Sequence, residues 1–460
     1  MTLHPDTIAA VATAPGPGAL AVVRISGPRA FAVLSRIAPG LPAGAAPRFV
    51  QLTEIVDPGS GEVVDQALVV GFQGPASYTG EDVVEITGHG GVLAPALVLE
   101  SVLKAGAREA EPGEFTRRAY LNGKMDLVQA EAVLDLVEGR SRALHRAAVH
   151  QLERGLSQRI ARLRERVVSL EAYLAHHLDF PEEDDPPTPV EAIAGAAEGL
   201  GAELAALAAT APEGVLLRQG ALTVLAGAPN AGKSSLFNAL SGEERALVTE
   251  IPGTTRDAIE AEVSLGGYPF RLVDTAGLRH TEEVVERLGI EVAERYLRSA
   301  DLVLFCVEGG RALTGSEAAF LRDLDGTPVV LVRTKSDAGG GDEGEAFGGL
   351  PDAVRETVCV SVRTGEGMRR LRELLPELVF HGLVASSATV PVLTRERQAR
   401  AVREAEAEVM AFGAALREGV PPEVASAHLK DALSALESVV GVVTGEDVLD
   451  HLFRSFCIGK

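Results

Sequence analysis

Apolar and polar positions alternate with a short period over roughly the first 115 residues and with a long one beyond them. Residues 7–13 and 19–25 are short β-rich runs on either side of Pro15-Gly16-Pro17-Gly18. Pro58-Gly59-Ser60-Gly61 separates runs at 49–56 and 63–72, the pattern of a hairpin. Helical spacing is expected at 29–37 and 93–104. Further on, Leu152, Leu156, Ile160, Leu163, Val167, Leu170 and Leu174 step by three and four, which predicts one apolar stripe on a long helix. The acid- and proline-rich segment 180–190 ends it, and an Ala-rich helix follows from 190 to about 209. Neither helix has a sequence neighbour of its own size to bury against. Both are therefore expected to pack with helices predicted at 394–416, 422–438 and 447–456. Between these parts, apolar strands at 222–226, 270–273, 302–307, 329–333 and 358–362 alternate with helices, which implies a mostly parallel sheet covered on both faces. The Gly-rich segment 339–349 reads as a mobile loop. The expected fold is thus multidomain, α+β and α/β. An α+β domain spans 1–118, an all-α domain is split into 119–216 and 381–460, and an α/β domain is inserted at 217–380.

Composition narrows the class. The chain has 460 residues, 46% of them apolar, with 49 Gly and 25 Pro, so several cores are within reach. No uncharged apolar run reaches the ~18 residues of a membrane span. Residues 1–14 contain Asp6 and no Lys or Arg, unlike a secretory leader. Cys306, Cys359 and Cys457 lie far apart, which argues against a disulfide framework or a Cys-rich zinc site and suits a reducing cytoplasm. Cys306 and Cys359 fall inside strand patterns and are expected in the core. His89, His176 and His177 lack metal-ligand spacing. The net charge of −22 gives no general attraction to nucleic acid. Residues 115–170 nevertheless carry 11 Lys and Arg against 6 Asp and Glu, either a surface for a polyanion or a solvated helix face.

The strongest chemistry lies in the inserted domain. Gly227-Ala228-Pro229-Asn230-Ala231-Gly232-Lys233-Ser234 matches G-x-x-x-x-G-K-[ST], after an apolar strand and before a helix expected near Ser235. Glycines let backbone N–H groups converge on phosphate, and the helix N-terminus adds a positive dipole. Lys233 would reach the β- and γ-phosphates and the Ser234 hydroxyl would bind Mg²⁺. Asp274-Thr275-Ala276-Gly277 ends the next strong strand, where a carboxylate can hold the Mg²⁺ shell. Thr255, in the loop between them, is a candidate to complete that shell. Thr334-Lys335-Ser336-Asp337 and Ser361-Val362-Arg363 each follow a strand. Asp337 can accept the N1 and N2 protons of guanine, which adenine does not offer; alternatively it caps a helix. These elements are similar to the base-reading motifs of the translation-factor class of GTPases. Thr334 stands where that class usually has Asn, which leaves one contact to the base and to the phosphate loop open. Leu278 follows the Asp274–Gly277 motif and cannot orient water, which leaves Glu282, Glu283 and Glu286 as candidates.

In this order, the motifs resemble the MnmE (TrmE) family of tRNA uridine-modification GTPases. DTIAAVATAPGPGALAVVRISGP, TGEDVVEITGHGG and PGEFTRRAYLNGKMDLVQAEA resemble its folate-binding N-terminal domain and the entry to its helices. GAPNAGKSSLFNAL, VTEIPGTTRD, DTAGLR and EVVERLGIE resemble its GTPase domain, and Phe456-Cys457-Ile458-Gly459-Lys460 its ending. The resemblance implies a nucleotide site of Asn230, Ala231, Gly232, Lys233, Ser234 and Ser235, of Thr249, Glu250, Ile251, Pro252, Gly253, Thr254 and Thr255, of Asp274, Thr275, Ala276 and Gly277, and of Thr334, Lys335, Asp337, Ser361, Val362 and Arg363. It implies K⁺ at Asn230, Thr249, Ile251 and Thr254, supplying the positive charge that an arginine finger gives elsewhere, and Mg²⁺ at Ser234 and Thr255. Glu286 would orient water, with Lys233 on the phosphates. Arg24, Glu81, Lys124 and Lys460 would bind a tetrahydrofolate derivative, 5-formyl- or methylene-tetrahydrofolate; Cys457 is either an accessory to the reaction or inert. The implied activity is addition of an aminomethyl-type (carboxymethylaminomethyl) group at C5 of wobble uridine in certain tRNAs, with GTP hydrolysis driving conformational change. The implied assembly is a cytoplasmic homodimer that forms a heterotetramer with the FAD- and NADH-dependent MnmG (GidA) subunit, away from membranes. The alternative is an RNA-binding GTPase switch in ribosome assembly, a class that usually appends a basic RNA-binding domain.

Overall fold

The computed structural model describes residues 6–41, 48–179, 188–243, 260–275, 294–324, 326–338, 350–385, 391–442 and 445–460. Most of the acidic segment at 180–190 and all of the Gly-rich one at 339–349 lie outside them. The chain forms two compact units, residues 1–134 with 437–460, and residues 135–436.

The first unit is built on a six-stranded sheet in the order β3-β4-β5-β2-β1-β6. Its strands are β1 (Ile8–Val11), β2 (Leu20–Ser26), β3 (Gln51–Val56), β4 (Val63–Phe72), β5 (Val83–His89) and β6 (Arg108–Glu109). All pairings are antiparallel except β1 with β6. Side chains alternate across a strand, so Val23 and Ile25 of β2 enter one core with Ile55, Val69, Val84 and Ile86. Helices Ala30–Ile37 and Leu93–Lys104 cover that core with Val33, Leu34, Ile37, Val98 and Val102. Arg24 and Ser26 point to the opposite face. There Ile8, Ala10, Ala110 and Phe115 form a second, small cluster with Tyr78 against it. A third joins Leu127, Ala130 and Leu134 to Leu449, Phe453 and Phe456, which brings the end of the chain into this unit.

The second unit holds a sheet in the order β12-β11-β10-β7-β9-β8, comprising β7 (Ala221–Gly227), β8 (Glu260–Leu265), β9 (Tyr268–Asp274), β10 (Leu302–Glu308), β11 (Val329–Thr334) and β12 (Val354–Cys359). Every pairing is parallel except β8 with β9. β7 and β10 are buried on both faces and read as continuous apolar runs, the signature of central parallel strands. Val303, Phe305 and Val307 enter one core while Leu302, Leu304 and Cys306 enter the other. Burial pushes the Cys306 thiol up to about 12, so it is inert. Cys359 is exposed, not core as expected, because it ends the edge strand β12, which lies at 354–359 rather than 358–362.

Helix Val190–Ala208 packs along Glu396–Arg417, as expected, and also against Gly155–Asp179, so the two early helices touch each other. The stretch Val190–Gln219 is long and apolar enough by composition to cross a membrane; its stripe of Ile193, Ala197, Leu200 and Leu204 is fully buried here. Several arginines of the basic segment are internally paired, Arg159 and Arg166 to Glu203 and Arg140 to Glu262.

Candidate functional site

β7 is the central strand, and its C-terminal end delivers the phosphate loop. Gly227 has φ +136°, and a Cβ there would lie 2.3 Å from the Cys306 carbonyl oxygen, so only glycine fits. Asn230 holds φ +63°, a left-handed conformation that asparagine tolerates better than most residues. The helix then runs Lys233–Glu243, opening two residues earlier than expected, with Ser234 and Ser235 exposed in its first turn. Lys233 is buried, and its ammonium donates to the carbonyls of Gly227 (2.9 Å) and Ala228 (2.8 Å). The lysine thus lies across the loop where phosphates would sit. β9 pairs with β7 so that Asp274 stands beside Leu225. Asp274 is buried, and the Thr275 hydroxyl donates to the Leu225 carbonyl at 2.8 Å.

The elements expected to read the base converge from β11 and the loop after β12. The Ser361 hydroxyl donates to Asp337 Oδ1 at 2.5 Å, and Arg363 pairs with Oδ2. Hydrogen bonding from Ser361, reinforced by Arg363, holds the Asp337 carboxyl below its usual range and keeps it an acceptor. Lys335, at φ +56°, extends to Glu308 Oε1 at 2.8 Å. Val362 is part-exposed beside them. The Thr334 hydroxyl donates to the Ala231 carbonyl at 2.8 Å, so this motif is linked to the phosphate loop without the asparagine. Thr249, Glu250, Ile251, Pro252, Gly253, Thr254, Thr255, Ala276, Gly277 and Glu286 lie outside the described residues, as do Leu278, Glu282 and Glu283.

In the first unit, Arg24 lies over Tyr78 and reaches the chain terminus, while Glu81 and Lys124 bond to neighbouring segments. The Arg24 guanidinium lies 5.3 Å from the Tyr78 ring and 5.7 Å from that of Phe115, pairs with Glu85 at 2.8 Å, and donates to the Gly459 carbonyl at 3.4 Å. Two motifs singled out separately in the sequence are in fact laced together. Tyr78 and Thr116 share a hydroxyl bond (2.9 Å), Arg118 meets Glu81 (3.2 Å), Asn122 donates to the Thr79 carbonyl (2.7 Å), and Lys124 donates to the Pro75 carbonyl (2.8 Å). Glu81 also accepts from the Ser26 hydroxyl at 2.7 Å. The tail docks through its backbone, with Gly113 N–H to Cys457 O (3.4 Å) and Phe115 N–H to Lys460 O (3.2 Å). Gly459, at φ +95°, admits no side chain, since a Cβ would come within 2.5 Å of the Val11 carbonyl oxygen. Cys457 is exposed. His89 serves structure, its Nδ1 lying 2.6 Å from Asp65 Oδ1. Arg118, with Glu114 and Asp6, was not singled out from the sequence; two adjacent arginines within a helix look like any solvated pair until their partners are in place.

Two family models match. "GTP-binding protein TrmE N-terminus" covers residues 7–124, and "MnmE helical domain" covers 127–457. Among curated proteins, the tRNA modification GTPase MnmE of Symbiobacterium thermophilum is 44% identical, and those of Heliobacterium modesticaldum and Laribacter hongkongensis are each 42% identical. Every one of these alignments covers 99% of both chains.

Proposed function

Because the chain belongs to the MnmE family of tRNA modification GTPases, we propose that it is the GTP-hydrolysing subunit of a complex that adds an aminomethyl-type group at C5 of wobble uridine. The observation that carries this reading is the pairing of two sites in one chain. One is a phosphate loop with Asp337 held by Ser361; the other places Arg24 on the docked tail, with Glu81 bonded to Ser26 and Lys124 to the Pro75 carbonyl. The residues fit their ligands by chemistry. The loop at 227–234 offers N–H groups and Lys233 to phosphates, and Ser234 offers a hydroxyl to Mg²⁺. Glu81 offers a carboxylate to the N–H edge of a reduced pterin, while Lys124 and Lys460 offer cations to a glutamate tail. A folate bound there would supply the one-carbon unit. The MnmG subunit, with its flavin and NADH, would complete the complex, and a second copy of this chain the homodimer. An assembly switch on ribosomal RNA is less suited, because the resemblance to MnmE extends over the N-terminal unit as well as the GTPase.

Hydrolysis is proposed to use K⁺ held by Asn230 with oxygens of Thr249, Ile251 and Thr254, and water oriented by Glu286. Removing a general base costs about 10²–10⁴ in rate, so Glu286→Ala should bind GTP as before and turn it over that much more slowly. The cation is tested by steady-state hydrolysis in KCl and in NaCl. Turnover should be much faster in KCl, and Asn230→Gly, which suits the left-handed backbone at this position, should abolish the difference. Equal rates in both salts would remove K⁺ from the mechanism. Absence of GTP turnover in either salt would overturn the reading itself.

A further inference from the structure

Arg118 is 4% exposed, and each edge of its guanidinium is engaged. Nε and Nη2 donate to Glu114 Oε1 (3.3 and 2.9 Å), and Nη2 also to Asp6 Oδ1 (2.8 Å). Nη1 donates to the Asp6 carbonyl (3.0 Å) and across both oxygens of Glu81 (3.2 and 3.3 Å). Arg108 joins the same cluster, bidentate on Glu114 (2.8 and 2.6 Å) and bonded to Asp6 (2.5 Å). Two guanidinium groups therefore serve three carboxylates unequally. Asp6 and Glu114 are each shared by both arginines, whereas Glu81 meets only one nitrogen of Arg118.

Glu81 is thus oriented without being fully neutralised. Arg118 fixes it from one side, and the Ser26 hydroxyl, itself 2.7 Å from Thr79 Oγ1, from another. Its side chain is 13% exposed, enough for the remaining lone pairs to meet a ligand. A carboxylate held in this way recognises a fixed array of N–H donors better than a free one, since less orientational freedom is lost on binding. We propose that Arg118 is a positioning residue. It aims the Glu81 carboxylate at the N–H donors of a reduced pterin, and so sets affinity for the pterin half of a folate and not for its glutamate half.

This inference rests on the folate reading above, and the experiment separates the two. Calorimetry on the full-length protein would use tetrahydrofolate, a tetrahydropterin lacking the glutamate half, and p-aminobenzoylglutamate lacking the pterin. Arg118→Lys keeps the charge but loses the planar fork. It should weaken tetrahydrofolate and tetrahydropterin binding by about 10- to 100-fold, the range for a charge-assisted hydrogen bond, and leave p-aminobenzoylglutamate unchanged. Combined with Glu81→Gln it should add nothing further, because one residue acts through the other. Ser26→Ala, a milder change, should give the same pterin-selective loss in case the lysine variant does not fold. Equal loss of both fragments, full additivity with Glu81→Gln, or unchanged pterin affinity in both variants would overturn the role of Arg118. Failure of the unaltered protein to bind tetrahydrofolate would instead overturn the folate reading.

Discussion

Asp337 selects a base only if its carboxylate is ionised and aimed, and Ser361 and Arg363 provide for both. Because hydrogen bonding from Ser361 depresses its protonation, guanine selection should persist as pH falls into the range where an ordinary aspartate begins to protonate, about 4. Replacing Asp337 by Ala removes charge-assisted bonds to the base. Affinity for a fluorescent GTP analogue should fall by about 10- to 100-fold, with weak ATP binding unchanged. Unaltered GTP affinity would place base recognition elsewhere. These residues were legible because a phosphate loop and its base-reading motifs follow one another in fixed order along alternating strands. The compensation at Thr334 was not. Whether a threonine hydroxyl reaches the Ala231 carbonyl depends on the approach of β11 to the loop, which is a tertiary fact. Arg118 was hidden for the same reason, since burial and partners decide its role rather than its neighbours in sequence.

Elements with strong periodicity were read well. The stripe from Leu156 to Leu174 and the apolar runs of β7, β10 and β11 are where the patterns place them, but Leu152, expected to open that stripe, ends the preceding helix Arg142–Leu152 and is exposed. Weakly patterned edges were missed. β8 is a polar edge strand whose hairpin turns at Gly266 and Gly267, both at positive φ, a primed-turn signal present in the sequence but not used. The capping box of helix Gly315–Asp323 also went unread, although Thr314 and Glu317 exchange both bonds and Arg311 clasps Glu317. The close pairing of Val190–Ala208 with Glu396–Arg417 depends on small residues. A Cβ on Gly413 would meet Ala194 O and Ala197 Cβ at 3.5 Å, an ordinary contact. Gly413→Ala should therefore gain helix propensity of about 0.5–1 kcal/mol and raise the thermal midpoint by about 1–3 °C. Gly413→Leu should lower it by overpacking. A fall with alanine would show that the two helices are closer than described.

At the scale of the molecule, 460 residues form two compact units, and the last residues of the chain belong with the first. Terminal pentapeptides ordinarily fray. Here backbone bonds to Gly113 and Phe115, the Arg24 contact and the side-chain-free fit of Gly459 against Val11 hold the end in place. The GTPase sheet lies in the other unit. Loss of residues 457–460 should therefore leave GTP hydrolysis intact while removing folate-dependent chemistry. Mass spectrometry of tRNA nucleosides from a strain lacking its own family member, supplied with either the full chain or one ending at Phe456, reads out that separation. The full chain should restore wobble-uridine modification, and the shortened one should not, although purified it hydrolyses GTP at the full rate. Restoration by the shortened chain, or none by the full one, would contradict a tRNA-modifying GTPase whose two ends close one site.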